Sequence, residues 1–245
     1  MNSRTKCLVL KRTNYGEADR IIQVITPEGK KSLMVRGARK EKSKLAGGIE
    51  VFSLSDITWH SGRGELDILT SARLITFYGH ILEDYDKLQF GYDALKRITR
   101  SSEMLEDPDF FELLNSTLQA LDQPSHQSGS SPHHPNPSSR HPELVSGSDL
   151  ALIQAWFYLR LSKIMGESLN VLTDVNGEKL QANTNYLYDV ENNAFVQSAA
   201  GNITADHIKL LRIMQINDIK MVQKIVGIKE LLPEILRLAQ ISAKI

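Results

Sequence analysis

Along residues 6–77 apolar and polar side chains alternate with a period of two, and after Tyr78-Gly79 the period lengthens to about 3.5. The first regime predicts five short strands: KCLVLKRTNY, DRIIQVITP, KSLMVRG, EVFSLSDITWH and ELDILTSARLITF. Turns separate them at Asn14 to Gly16, in TPEGKK, where Gly29 is free to take positive φ, and at Ser61-Gly62-Arg63-Gly64. β-branched and aromatic residues are frequent, and no Pro interrupts a strand interior. Five such strands in so short a stretch fit a small Greek-key barrel of the OB type.

The second regime is helical. Ile81, Tyr85, Leu88, Tyr92 and Leu95 mark one face of a helix running to about Arg100. Asp107-Pro108 caps a second, whose apolar face is Phe111, Leu114, Leu118 and Leu121. Residues 123–148, QPSHQSGSSPHHPNPSSRHPELVSGS, are dense in Ser, Pro and His and carry no period, which reads as a disordered low-complexity insertion. Its His126, His133, His134 and His141 could hold a divalent metal loosely, but a tolerated linker accounts for them. Helix resumes at Asp149 with Leu150, Ile153, Phe157, Leu161 and Ile164 facing inward and Trp156 alongside. Residues 168–198 suggest a small knob of two hairpins, about Asn176-Gly177 and Asn192-Asn193. Thr204 caps a helix with Ile208, Leu211 and Met214 inward; a short helix near Ile219 to Val226 and a last one from about Leu232 follow. The chain therefore reads as α+β with two domains: an OB-type barrel over 1–79 and an all-α domain with a β-hairpin knob over 80–245.

Composition narrows the classes. With 41% hydrophobic and 24% charged residues in 245, this is an ordinary globular chain. No apolar run approaches the roughly 20 residues needed to span a bilayer, and the N-terminus lacks the pattern of a signal peptide. The single cysteine, Cys7, excludes an internal disulfide and a multi-cysteine zinc site; at the start of a strand it reads as a small buried hydrophobe. A cytosolic compartment follows.

The net charge of zero conceals a division: residues 1–80 carry fourteen Lys or Arg against eight Asp or Glu, a net of +6. Between Lys30 and Lys44, seven cations face the single acid Glu41. Such a block is either a phosphate-binding segment or a solvated loop. In an OB barrel, nucleic acid lies across strands 2 and 3 and the loops joining strands 1–2 and 4–5. Those places hold Arg20, Lys30, Lys31, Arg36, Arg39, Lys40, Lys42, Lys44 and Arg63, the candidate phosphate contacts. Tyr15 and Trp59 are either base-stacking platforms or core, and Phe52 reads as core. Glu17 and Asp19 lack the third carboxylate or His that a metal-dependent nuclease needs, so a solvated turn or a salt bridge to Arg20 is the simpler reading. No Walker loop, metal cluster or nucleophile–base pair is present; the chain reads as a binding protein without catalytic residues, metal or cofactor.

Residues LVLKRTNYGEADRIIQVITPEGKKSLMVRGARKEKSKLAGGIEVFS, followed by GRGELDILTSARLI, resemble the N-terminal domain of the bacterial RecO recombination mediators. The resemblance lies in the YGEADRI turn and strand, the T-x-E-G-K hairpin, the G-A-R-K-x-K-S-K run and the G-R-G-x-L-D-x-L-T hairpin, in the family's order. It implies a protein of DNA repair and homologous recombination in the bacterial cytoplasm, associated with the nucleoid. Such a protein would bind single- and double-stranded DNA, anneal complementary strands and help load the RecA recombinase onto DNA coated with single-strand-binding protein. Implied partners are RecR and the acidic C-terminal tail of single-strand-binding protein; Lys209 and Arg212 are candidates for that tail, or simply solvated helix positions. Many RecO proteins carry two C-x-x-C pairs that bind zinc in the knob. Here Thr173 and Asn176 occupy the first pair by register, and Val196 and Ala199 the second, so the knob must be held by its own packing. The basic groove alone leaves open an RNA-binding protein of translation or ribosome assembly, and more remotely a metal-dependent nuclease.

Overall fold

The computed structural model describes residues 2–62, 66–124 and 146–243. Strand β1 (Asn2–Tyr15) is long enough to serve two neighbours. Its first half pairs with β4 (Ser53–His60) and its second with β2 (Asp19–Thr26), with Leu8 facing Leu54 on one side and Ile25 on the other. A β-bulge between Val9 and Lys11 bends the strand where the sheet curls. β3 (Gly29–Val35) returns along β2, and a short parallel contact (Leu33 with Asp67, Met34 with Ile68) joins it to β5 (Asp67–Phe77), which pairs with β4. The order β1-β2-β3-β5-β4 closes into a barrel, the OB-type architecture that the alternation predicts.

Two faces of the same strands serve two cores. Cys7, Val9, Ile22, Val24, Leu33, Val35, Ile49, Ile57, Trp59 and Leu69 point into the barrel. Leu8, Leu10, Ile25 and Leu54 point outward, and with Phe52 they belong to the hydrophobic core of the helical part. The joint is tight at Gly91: a Cβ there would lie 2.9 Å from the Phe52 ring. A glycine in mid-helix, normally unfavourable by about 1 kcal/mol, is what lets the first helix close on the barrel.

That helix, α1 (Tyr85–Met104), starts after a 3₁₀ turn at Gly79–Glu83 and is capped by Asp84, whose side chain accepts from the Asp86 and Lys87 amides. Its buried face corrects the expectation. Phe90, Gly91, Ala94, Leu95 and Ile98 face inward, whereas Tyr85 and Tyr92 are 70% and 52% exposed. α2 (Asp109–Leu121) buries Phe111, Leu114, Leu118 and Leu121 as expected, and the Asp107 carboxylate accepts from the Asp109 amide at 2.8 Å. α3 (Ser146–Ile164) begins three residues before the expected start, so the insertion is shorter than its composition implies. Residues 125–145 of that segment, with its four histidines, lie outside the described residues. α3 is the central helix, and Ala155, Trp156, Phe157, Leu159 and Leu161 are all buried. Around it pack α2, α4 (Ala205–Ile216) and α6 (Leu232–Ser242), while the short α5 (Ile219–Val222) abuts α2 and α4. At the start of α4 the ring nitrogen Nδ1 of His207 accepts from the Thr204 amide at 3.2 Å, closing a capping box.

The knob holds one regular hairpin, β6 (Tyr186–Asp189) with β7 (Ala194–Gln197), turning at Asn193 with φ +50°. The other expected hairpin, about Asn176-Gly177, is present in minimal form, a turn closed by one antiparallel bridge between Thr173 and Lys179, with Leu180 N donating to Leu172 O at 3.2 Å. The Asp174 carboxylate accepts from the amides of Asn176 and Glu178, both at 2.9 Å. Val175 N donates to Phe195 O at 2.9 Å, tying this turn to β7. Tyr186 and Tyr188 stand edge-on to Phe195, with ring centroids 6.4 Å and 5.5 Å away. Thr173, Asn176, Val196 and Ala199 offer no thiolate, and among the described residues no three His, Cys, Asp or Glu side chains are grouped to hold a metal ion. The knob does not fit zinc.

Candidate nucleic-acid interface

The basic segment after β3 is latched in place. Val35 leads into Gly37, which turns at φ +64°, a conformation that glycine adopts without strain. The Gly37 amide donates to Asp19 Oδ1 at 2.7 Å, and the Arg39 amide to Ala18 O at 2.9 Å. The Arg39 guanidinium reaches Gly16 O at 3.2 Å. Two further turns follow, Lys40 N to Gly37 O at 3.1 Å and Ser43 N to Lys40 O at 3.0 Å. The segment is thus bound to the β1–β2 turn. Asp19 has a structural part as the latch, and Arg20 uses its Nε to reach Asn14 Oδ1 at 3.3 Å rather than an acid.

The consequence is one basic end of the barrel. Arg20, Arg36, Arg39, Lys40, Lys42 and Lys44 stand there against Glu17, Asp19 and Glu41. None of the six makes an ion pair with a described residue. Tyr15, 54% exposed, lies at the rim beside Gly16 and offers its ring to solvent. Cations on a latched backbone next to an exposed ring suit a phosphate chain with a stacked base.

Three sequence candidates fall elsewhere. Lys30 and Lys31 sit at the far end of β3, five or six residues from Arg36 and so about 17–20 Å away at the rise of a strand. Lys30 turns outward to α1, where its ammonium meets Glu103 at 2.5 Å and Thr99 O at 3.4 Å. Glu103 is held below its ordinary pKa by its hydrogen bond and charge contact with Lys30. Lys31 lies over the Trp59 ring, 5.5 Å from its centroid, and Trp59 is only 7% exposed inside the barrel. Trp59 is therefore core, because the inward alternation of β4 places it with Ile57. Arg63 lies outside the described residues. In the helical part, Lys209 bridges Asp206 on its own helix at 3.0 Å, and Arg212 donates to Val171 O at 2.8 Å, holding the knob. The sequence reading overlooked Lys11, Lys96 and Arg100; the last two lie on a helix read only for its apolar stripe.

Residues 1–78 match the family described as Recombination protein O N terminal. Curated relatives carry the name DNA repair protein RecO. One from Roseiflexus sp. (strain RS-1) is 34% identical over 119 residues, covering 48% of this chain and 42% of that protein. One from Dehalococcoides mccartyi (strain ATCC BAA-2266 / KCTC 15142 / 195) is 25% identical over 241 residues, covering 95% of this chain and 85% of that protein. A third, from Trichodesmium erythraeum (strain IMS101), is 34% identical over 121 residues, 48% of this chain and 41% of the relative. The stronger identity is thus confined to less than half the length of those relatives, while a weaker likeness runs nearly end to end.

Proposed function

We propose, from the match of residues 1–78 and the likeness to proteins named DNA repair protein RecO, that the chain is a RecO-type, non-enzymatic recombination mediator whose DNA site is the basic end of the barrel. It binds single- and double-stranded DNA through phosphates, anneals complementary strands and helps load RecA onto DNA coated with single-strand-binding protein. Its protein partners are RecR and the C-terminal tail of single-strand-binding protein, and it works in the bacterial cytoplasm on the nucleoid. The relatives' name carries the repair role. The observation that supports the site is the latch: Asp19 and Ala18 accept from the Gly37 and Arg39 amides and so fasten the start of the Arg36–Lys44 segment beside Tyr15 and Arg20. A solvated loop would have no need of those bonds. With the loop already ordered, binding loses less entropy when phosphates engage it.

Fluorescence anisotropy of a labelled mixed-sequence single strand over a salt series tests the site. Four to six phosphate contacts give a slope of log K against log salt of about −3 to −4. The R39E/K40E/K42E variant should bind far more weakly with a shallower slope, and should lose strand annealing measured by energy transfer between labelled complements. Wild-type affinity and slope in that variant would remove the site from the barrel end. A strong preference for RNA of the same sequence would turn the reading toward translation.

A further inference from the structure

Along α1, Tyr85, Tyr92, Lys96 and Arg100 fall at i, i+7, i+11 and i+15 and are all exposed, forming one outward row. Tyr92 to Arg100 face β1 across a cleft of about 580 Å³, with Leu10, Val51 and Leu95 as its floor and Lys11 on the opposite lip. Lys96 and Arg100 make no ion pair with a described residue. Glu103, the acid that lines the cleft, is ion-paired with Lys30 at 2.5 Å and feels only a weaker charge contact from Lys11, and Arg12 on the β1 side is balanced by Glu50 at 2.5 Å. Tyr92 leans edge-on against buried Phe52 at 5.1 Å, which fixes its ring while leaving half of it in the cleft.

A held aromatic ring, an apolar floor and a line of unspent cations fit a ligand that alternates flat apolar groups with negative charge. Single-stranded nucleic acid has that pattern. From Tyr92 to Arg100 the helix rises about 12 Å. On β1, Lys11 precedes Tyr15 by four residues, about 13 Å of strand, so the Lys11 lip of the cleft lies that far from the basic end of the barrel, while Thr99 and Glu103 at its other side reach Lys30. We infer that a single strand bound at the barrel end continues into the β1–α1 cleft, stacking a base on Tyr92 and placing phosphates on Lys96, Arg100 and Lys11. This inference rests on the barrel-end reading above and extends its track onto the helical part.

Two labelled oligothymidylates, about 6 and about 25 nucleotides long, bracket the occluded length of one OB fold. Anisotropy is read for wild type, Y92A, Y92F, K96Q/R100Q and the barrel-end variant R39Q/K40Q/K42Q. The α1 variants should bind the short oligomer as wild type does. For the long one, Y92A should lose affinity by about 5- to 100-fold while Y92F keeps it. K96Q/R100Q should flatten the salt slope by about 1.4. Unchanged binding of the long oligomer by both Y92A and K96Q/R100Q overturns the inference, whatever the barrel-end variant does. If K96Q/R100Q keeps oligomer binding but loses an acidic peptide that wild type captures, the cleft belongs to a protein partner and the inference is wrong. Absence of wild-type binding at either length, or wild-type binding of the short oligomer by R39Q/K40Q/K42Q, overturns the barrel-end reading as well.

Discussion

Replacing Asp19 by Ala sets two physical effects against each other. The side chain accepts the Gly37 amide at 2.7 Å and is the acid closest to the turn of the basic loop. Removing its charge raises the net charge of the barrel end from +3 to +4 and, by electrostatics alone, should tighten DNA binding. At about 8 Å in water one unit charge on another is worth roughly 0.5 kcal/mol before screening, and less at physiological salt. A hydrogen bond to a charged group in a half-buried setting contributes about 1.5–3 kcal/mol. Without it the loop samples other conformations, and binding must restore the latched one. Even if only half the bond's value is drawn from binding, about 0.75–1.5 kcal/mol, affinity falls by roughly 3- to 12-fold, since roughly 1.4 kcal/mol is a factor of ten. The latch therefore outweighs the charge. The number of cations is unchanged, so the salt slope should stay that of wild type, in contrast to R39E/K40E/K42E. Anisotropy over a salt series gives both quantities, and urea unfolding in parallel should show a loss of about 1–2 kcal/mol. Tighter binding of D19A would refute the argument, because it would mean that the loop needs no anchoring to engage DNA.

Gly91→Ala gains helix propensity but drives a methyl to 2.9 Å from the Phe52 ring, so a net destabilisation of about 1–2 kcal/mol is expected in urea unfolding. Asp174→Ala strands two knob amides and should cost about 1–3 kcal/mol, whereas a chelator should leave the wild-type unfolding midpoint unmoved. His207 sits buried with its Nδ1 accepting from Thr204, and burial lowers its pKa from the ordinary 6.5. The fold thus favours neutral imidazole. The stability this contributes is complete above about pH 6.5 and is lost as pH falls through the lowered native value. His207→Gln keeps an acceptor for the cap and should remove that part of the pH dependence, read as urea midpoints between about pH 7.5 and about pH 5, a range that brackets the ordinary imidazole pKa and extends further below it.

The barrel was legible because period-two alternation has a single consequence once a sheet closes: Cys7 and Val9 inward, Leu8 outward. What alternation could not show is that the outward face is also buried, by helices far along the chain. For that reason Lys30, next to Lys31 in sequence, ends on α1 while Lys31 ends over Trp59. A charge block is continuous in sequence, but a strand divides it between two ends and two faces. The α1 error has a related cause. Tyr counts as apolar in a stripe, yet Tyr85 and Tyr92 keep to the outer side, while small Gly91 and Ala94, weak signals in any hydrophobic count, make the closest contact. α3 carries apolar residues on every side because four other elements of the fold surround it, which its sequence shows only as an excess of bulk.

The knob shows how a metal-free sequence can close the same loop. A zinc ion held by two C-x-x-C pairs would join the turn at 173–176 to the strand end at 196–199. Here that connection is made by backbone: Val175 N to Phe195 O at 2.9 Å, with Asp174 bridging in parallel to Phe195. Asp174 fixes the first turn through two amides, and Phe195, fully buried between Tyr186 and Tyr188, fixes the second. Arg212 and Gln215 of α4 then hold the knob's entry by Val171 O at 2.8 Å and Leu169 O at 3.0 Å. A structural zinc contributes folding energy outright, and its loss without replacement would leave such a small hairpin unsupported. Aromatic packing and amide satisfaction supply the substitute, and they do so without thiols that could be oxidised. The orientation of the knob on α4 is accordingly set in part by Arg212, whose Nε donates to Val171 O.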